Sequence, residues 1–162
     1  MNHDNTQRTK TYIVSIAIAL AVGLFSALLT RDSMDLYGQL VMPPLAPPAV
    51  LFPIVWTILY VLMGVSAAMI WQQREDDPAA ASSGLSAYAL SLGFNFLWSI
   101  LFFNCRWLLV SFFWLLGLLA LILLTIRAYH AVSPTAAYLQ IPYALWVTFA
   151  GYLNFAIWYL NR

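Results

Sequence analysis

Residues 42–71 read MPPLAPPAVLFPIVWTILYVLMGVSAAMIW, an uncharged stretch that begins with two proline pairs and continues as an apolar run. A proline fixes its own φ and disfavours the α region for the residue before it, so the pairs predict a stiff, extended segment. Pro47 and Pro48 also suit the first turn of a helix, where a missing N–H costs nothing. Beyond them, Trp56 and Tyr60 lie four residues apart on one helical face. This pattern predicts a rigid loop that covers an aromatic-lined pocket. A proline-capped membrane helix with interfacial aromatic residues is the alternative.

The composition identifies the class of protein. Hydrophobic residues make up 63% of the 162-residue chain and charged residues 8%, whereas average soluble chains carry roughly 25% charge. The chain is therefore an integral membrane protein. Its formal net charge of +1 gives no basic patch for nucleic acid. The single cysteine cannot form an internal disulfide.

Several apolar runs are about twenty residues long, enough to cross a bilayer as helices. We predict one membrane domain over residues 1–162, an all-α bundle of five transmembrane helices with a long, proline-rich first loop. The predicted helices span about 11–30, 48–73, 85–103, 107–129 and 134–160. A cleaved signal peptide is the competing interpretation of the first run, but its apolar region is too long for one.

The predicted boundaries carry further expectations about local structure. Residues 1–10 are polar and are expected to fray, and residues 79–84 form a small-residue linker. Pro53 and Pro142 are each expected to kink the helix that contains them. Ala19, Gly23 and Ser26 form a small-residue stripe that predicts close helix packing.

Three helix faces combine aromatic and polar side chains in an otherwise apolar chain. The paired residues are Trp56 with Tyr60, Asn95 with Trp98, and Tyr143 with Trp146. The helix that carries the last pair continues through Ala150 to Asn154, and an asparagine in hydrocarbon needs a partner. Asn95 and Asn154 are therefore expected to face the bundle interior. Together the faces favour a flat, largely apolar aromatic ligand.

Other function classes lack the residues that they need. No predicted span contains Asp, Glu or Lys, which argues against a proton-coupled pump. His3, His130 and Cys105 are scattered without ligand spacing, so we expect neither a bound metal nor a cofactor. Phosphate-binding loops and dinucleotide fingerprints are absent from the sequence.

Assembly and orientation have weaker signals. Ala89 and Gly93 form a small-xxx-small pair that predicts a homodimer interface on the third helix. Five spans place the termini on opposite sides of the membrane. The arginines and lysines divide four against three, which favours a cytoplasmic N-terminus by one residue.

The segments PPLAPPAVLFPIVWTILYVLMG, NFLWSILFF and PYALWVTFAGYLN together resemble the tryptophan-rich sensory protein/translocator protein family. The resemblance covers essentially the whole chain. It implies a dimeric five-helix bundle that binds porphyrins such as protoporphyrin IX, sterols and benzodiazepine-type ligands under the first loop. Trp56 and Trp146 match the two family tryptophans that face each other across the cavity. Asn95 and Trp98 match the polar-aromatic pair, and Ala150 matches a small residue near the pocket floor.

The chain departs from the family pattern at three places. Leu45 stands between the proline pairs where the family usually has an aromatic residue. On the fourth helix, Val110 and Trp114 replace a Trp and an acidic residue. At the sterol motif, Phe155 and Tyr159 stand where Tyr and Arg are expected, although a looser Leu–Tyr–Arg match ending at residue 162 survives. These differences favour porphyrin over sterol.

The resemblance implies a porphyrin-binding membrane sensor, expected in a bacterial cell membrane. Two alternatives remain open. The chain could degrade protoporphyrin in light through Trp56 and Trp146, or it could transport the same ligands passively. Formation of product under light separates the enzyme from the sensor, and flux into sealed vesicles identifies a transporter.

Overall fold

The computed structural model describes residues 2–33 and 38–162. These residues form α1 (Asn2–Thr30), α2 (Leu51–Gln72), α3 (Pro78–Ser99), α4 (Leu108–Val132), α5 (Pro134–Tyr138) and α6 (Ile141–Leu160). The prediction of an all-helical chain with five long helices is confirmed for this part of the chain. By length and composition, α1 to α4 could each cross a membrane, whereas α6 falls outside that group.

The long helices pack in pairs. The most extensive contacts join α1 to α2, α3 to α4, and α4 to α6, whereas α2 and α6 touch only briefly. The contact of α1 with α2 depends on small residues, as predicted. A Cβ on Gly64 would lie 2.5 Å from the Cα atom of Ile16, and a Cβ on Gly23 would overlap the ring of Tyr60. The candidate site lies at this sparse contact between α2 and α6.

Two helices begin earlier than predicted. Residues 2–10 are helical, because polar side chains outside the apolar core do not prevent backbone hydrogen bonding. Gln72 of α2 donates a hydrogen bond to the carbonyl oxygen of Arg8 and so links this end of α1 to α2. The predicted linker at residues 79–84 is also helical. Asp77 caps α3 by accepting a hydrogen bond from the backbone N–H of Ala80 over 3.0 Å, and Pro78 occupies the first helical position. The signature of a helix start was present in the sequence and was misassigned.

Proline placement corrects two further boundaries. α2 begins at Leu51 rather than residue 48, so Pro53 lies in its first turn, where an N–H has no intrahelical partner. The predicted fifth helix is divided into α5 and α6 at residues 139–140. A helix continuing through this point would place the Pro142 ring against the carbonyl of Tyr138, so α5 ends there and Pro142 lies at the start of α6.

The connection from α3 to α4 is tight, as the predicted helix bounds 85–103 and 107–129 imply. α3 ends at Ser99 and continues as a π-helical turn, Ile100–Asn104, whose last bond joins the N–H of Cys105 to the carbonyl of Ile100. Arg106 then adopts a positive φ of 58°. α4 ends at Val132, three residues later than predicted. Ser133 is both the residue after α4 and the residue before α5, which begins at Pro134.

Candidate ligand-binding site

The aromatic residues of α2 meet those of α6 along one contact. Phe52, Trp56 and Tyr60 repeat every four residues on α2, so their rings lie along one face. The ring of Trp56 lies 5.6 Å from that of Tyr60 and 6.1 Å from that of Tyr143. One turn away, Trp146 meets Phe52 edge to face at 5.9 Å. The structure therefore brings Trp56, Tyr60, Tyr143 and Trp146 into one cluster, which we call the α2–α6 aromatic cluster.

Two hydrogen-bond donors in this cluster lack an acceptor. The Tyr143 hydroxyl and the Trp146 Nε1–H are shielded from solvent and have no partner within hydrogen-bond distance among the described residues, although Ser91 lies close to the Tyr143 hydroxyl. Burying an unpaired donor costs roughly 1–3 kcal/mol, so buried polar groups are normally paired. The two side chains lie one turn apart on the same face of α6. Both donors are thus available to acceptor atoms of a ligand or of water.

Asn95 joins the cluster from α3. Its Nδ2 atom donates to the hydroxyl oxygen of Tyr60 over 2.7 Å, and its residue is 2% exposed. Ala150 is also buried, one turn beyond Trp146 on α6. Next to it, Gly151 is buried, yet a Cβ placed there would meet no atom within 4 Å. This part of α6 therefore borders internal space.

Trp98 belongs to a second polar cluster rather than to the first. Its Nε1–H donates to Oδ1 of Asn154 over 3.0 Å, and the Ser111 hydroxyl lies 3.0 Å from the same oxygen. Asn154 in turn donates to the carbonyl of Leu108 over 2.6 Å. The prediction that Asn95 and Asn154 face the interior is confirmed. The two asparagines bond different partners, however. Asn95 lies in the aromatic cluster and Trp98 in the second polar cluster, so these two residues do not form the predicted pair.

Residues 38–50 carry all four loop prolines and lie against α6. Asn161 contacts both backbone polar groups of Val41, with distances of 2.9 Å from Val41 N and 3.1 Å from Val41 O. The Tyr152 hydroxyl donates to the carbonyl oxygen of Pro44 over 2.9 Å. Pro47 is half-buried and Pro48 is exposed at the entry to α2. The sequence did not reveal these anchors, because each one links residues more than a hundred positions apart.

The turn between the proline pairs has an unfavourable residue at its third position. The N–H of Ala46 donates to the carbonyl of Pro43 over 3.2 Å, and Leu45 adopts a φ of 69°. A turn with proline second and a positive φ third is of type II, for which glycine is preferred at that position. Leu45 is 80% exposed and stacks on nothing in the cluster.

The remaining predicted positions lie away from the cluster. Ala89 and Gly93 are exposed on the outer face of α3, and no atom lies within 4 Å of a Cβ placed on Gly93. Two open clefts, of about 550 and 560 Å³, lie at the two ends of the bundle. Neither is lined by a residue of the aromatic cluster.

Two contributors to the site region were not predicted. Phe52 lies one turn before Trp56 and could have been found from the four-residue spacing of aromatic residues. The second contributor holds α2 to the helix break. The Ser66 hydroxyl donates to the carbonyl of Ala136 over 2.8 Å, and Gln140 donates to the Ser66 oxygen over 3.2 Å. Only the fold brings these residues together.

The TspO/MBR family model matches residues 15–160. The chain belongs to the TspO/MBR family. It is 36% identical over 156 residues to the tryptophan-rich protein TspO of Chlorobaculum tepidum, covering 93% of this chain and 96% of that protein. It is 37% identical over 144 residues to the translocator protein of Bos taurus, covering 86% and 83% of the two chains. The tryptophan-rich sensory protein of Cereibacter sphaeroides is 30% identical over 150 residues, covering 93% and 90%.

Family membership and the apolar helices together make this a multi-pass membrane protein. The family assignment agrees with the resemblance drawn from the proline pairs and the aromatic faces. The aromatic cluster of this TspO/MBR member therefore lies within the part of the chain that the family shares.

Proposed function

We propose that this protein is a membrane sensor that binds a tetrapyrrole such as protoporphyrin IX at the α2–α6 aromatic cluster. One observation carries the proposal: two buried donors, on Tyr143 and Trp146, belong to a group of aromatic rings and have no acceptor within hydrogen-bond distance. A flat conjugated ligand would stack on the rings. Its polar atoms would accept the two hydrogen bonds.

The character of the buried residues agrees with this ligand class. All buried polar residues in the described part of the chain are Ser, Thr, Asn or Gln, so the interior offers hydrogen bonds without a formal charge. Ligand pockets are commonly apolar with a few placed polar groups. The same character suits uncharged, benzodiazepine-type aromatic ligands, and the altered sterol motif makes sterol the less favoured ligand.

Ligand entry requires the cluster to open. α2 and α6 contact each other little, and Gly151 borders internal space, so separating the two helices would disturb few contacts. The segment 38–50 is the proposed lid, since its prolines lie at the start of α2 and its backbone is anchored to α6. Because proline restricts the conformations of the open lid, less conformational entropy is lost when the lid closes.

A matched pair of alanine substitutions tests where the ligand binds. Ala150→Leu enlarges a buried side chain beside the cluster, whereas Ala120→Leu makes the same change on the exposed face of α4. Titration of purified protein with protoporphyrin IX, followed by tryptophan fluorescence in the dark, should give at least tenfold weaker binding for Ala150→Leu. Ala120→Leu should bind as the parent does. Equal affinity in both variants would place the ligand elsewhere, and no binding by the parent would overturn the proposed function.

Repeating the titration under light separates binding from turnover. Trp56→Phe and Trp146→Phe each keep an aromatic ring but remove the easily oxidised indole. We expect each variant to retain most porphyrin binding, with affinity a few-fold lower, since an aromatic contact contributes roughly 0.5–1.5 kcal/mol. Light-driven loss of bound porphyrin in the parent, abolished in either variant, would assign an enzymatic role to the two indoles. If the parent loses no bound porphyrin under light, the enzymatic alternative is excluded and the sensor function stands.

The proposed setting is a bacterial cell membrane with the N-terminus on the cytoplasmic side. Arg8, Lys10, Arg74 and Arg127 are the basic residues at the N-terminal end of the bundle, one more than at the opposite end. The proposed assembly is a homodimer through the outer face of α3. Ala89 and Gly93 are small and exposed there, which would allow close approach of a second copy.

A further inference from the structure

One of the two open clefts is a groove between the start of α4 and the end of α6, at the end of the bundle opposite the N-terminus. It has a volume of about 560 Å³ and is open to the outside. Its lining residues combine basic, apolar and indole side chains and are Arg106, Trp107, Leu108, Leu109, Val110, Trp158, Asn161 and Arg162. We call it the α4–α6 groove. It shares no residue with the aromatic cluster.

The charge of the groove is unbalanced. Arg106 and Arg162 both line it, and its lining residues include no Asp or Glu. Elsewhere at this end of the bundle, Arg31 lies 3.3 Å from Asp32, so those two charges largely offset each other. Two guanidinium groups in one groove, without an Asp or Glu side chain in its wall, favour an anion as the occupant.

The local structure holds Arg162 through its side chain and Arg106 through its backbone. The guanidinium of Arg162 lies 4.1 Å from the ring centroid of Tyr159 and 5.9 Å from that of Trp158. Arg106 occupies the tight α3–α4 connection with a positive φ of 58°, a conformation that non-glycine residues seldom adopt. Asn104 ties this connection to α1 by donating to the carbonyl of Leu29 over 3.0 Å. The Arg162 guanidinium therefore loses less freedom on binding than that of an unanchored side chain.

Apart from Asn161, the rest of the groove is apolar and faces outward. Leu109 and Val110 belong to the first turn of α4, and Val110 is 50% exposed. Trp107, 57% exposed, and Trp158 add indole rings at the helix ends, where tryptophan is enriched at membrane–water boundaries. A free inorganic anion would leave this apolar wall uncovered. A sterol would cover the wall but would leave two cations without an anionic partner.

We propose that the α4–α6 groove binds the headgroup of an anionic phospholipid. The phosphate lies between Arg106 and Arg162, and the glycerol and upper acyl chains cover Leu109 and Val110. Guanidinium groups pair well with phosphate oxygens, and a basic residue near anionic lipid typically strengthens binding severalfold. This proposal does not rest on tetrapyrrole binding, although Asn161 lines the groove and also anchors the proposed lid.

Native mass spectrometry with added lipid tests the proposal on the full chain. The protein in detergent is mixed with phosphatidylglycerol or with phosphatidylcholine, and the lipid adducts are counted. We expect the parent to retain phosphatidylglycerol in preference to phosphatidylcholine. The double variant Arg106→Gln/Arg162→Gln should lose about tenfold or more of its phosphatidylglycerol affinity, with phosphatidylcholine binding unchanged. Far-ultraviolet circular dichroism checks that the variant keeps its helical content.

A second double variant removes two charges from the opposite end of the bundle. Arg8→Gln/Arg127→Gln should retain the preference for phosphatidylglycerol. If it loses the preference as fully as the groove variant does, the effect reflects net charge and the site is overturned. Undiminished phosphatidylglycerol binding by the groove variant also overturns it. If inorganic phosphate at an equal concentration displaces the lipid completely, the apolar wall contributes nothing and the lipid assignment is wrong.

Discussion

Trp98 and Asn154 should prove to be coupled in stability, because their hydrogen bond joins α3 to α6 in the apolar interior. The bond from Trp98 Nε1 to Asn154 Oδ1 measures 3.0 Å, and the two residues are 8% and 1% exposed. Asn154 also donates to the carbonyl of Leu108 over 2.6 Å. Replacing Asn154 with Ala removes both bonds, together with the one that the Ser111 hydroxyl donates to Asn154 Oδ1, and leaves the Trp98 N–H without its acceptor.

The magnitude follows from measured hydrogen bonds in helical membrane proteins. Such bonds average about 0.6 kcal/mol and reach about 1.7 kcal/mol. Leaving a buried group unpaired costs roughly 1–3 kcal/mol. Asn154→Ala should therefore lower the free energy of unfolding by about 2 kcal/mol. Trp98→Phe, which removes the N–H donor but keeps an aromatic ring, should lower it by a similar amount.

A double-mutant cycle isolates the bond itself. Unfolding in mixed micelles of mild detergent and dodecyl sulfate, followed by circular dichroism, gives the free energy for the parent, each single variant and the double variant. The coupling between Trp98→Phe and Asn154→Ala should be about 0.6–1.7 kcal/mol. The control cycle combines Trp98→Phe with Asn161→Ala, whose side chain bonds Val41 instead. A Trp98–Asn154 coupling no larger than that of the control would refute the reasoning.

Three further predictions test packing, assembly and the lid. Gly64→Ala should destabilise the bundle by roughly 1–3 kcal/mol, because the added Cβ would lie against the backbone of α1; an unchanged midpoint of unfolding would contradict this. Ala89→Leu combined with Gly93→Leu should convert a dimer to a monomer in size-exclusion chromatography with light scattering, whereas an unchanged mass removes α3 from the interface. Pro47→Ala combined with Pro48→Ala should weaken porphyrin binding while the circular dichroism spectrum stays the same, and equal affinity would make this segment a simple connector.

The sequence predicted the helices and their interior faces because hydrophobic length and helical spacing are local properties. Asn95 and Asn154 were expected inside because an amide in hydrocarbon requires a partner, and both are buried. The partner itself could not be derived. Asn95 bonds Tyr60 and Asn154 bonds Trp98, pairings that depend on how the helices rotate and shift against one another.

The errors have local physical causes. The α3 start was placed too late because the apolar run was given more weight than the cap formed by Asp77 and Pro78. The break before α6 was expected as a kink at Pro142, whereas the steric conflict acts on the residue four positions earlier. Hydrogen bonds such as the one between Asn161 and Val41 join distant positions of the chain, and no sequence pattern predicts them.

Indole resonances of the seven tryptophans test the central claim most directly. In a ¹⁵N–¹H correlation spectrum of the protein in micelles, assigned by single Trp→Phe variants, protoporphyrin IX should shift the Nε1–H signals of Trp56 and Trp146 first and furthest. Trp114 provides an internal reference, because its Nε1–H already donates to the carbonyl of Phe94 over 2.8 Å. Its signal should move little. Shifts confined to Trp107 and Trp158, with Trp56 and Trp146 unchanged at saturating ligand, would place the porphyrin outside the aromatic cluster and contradict the account.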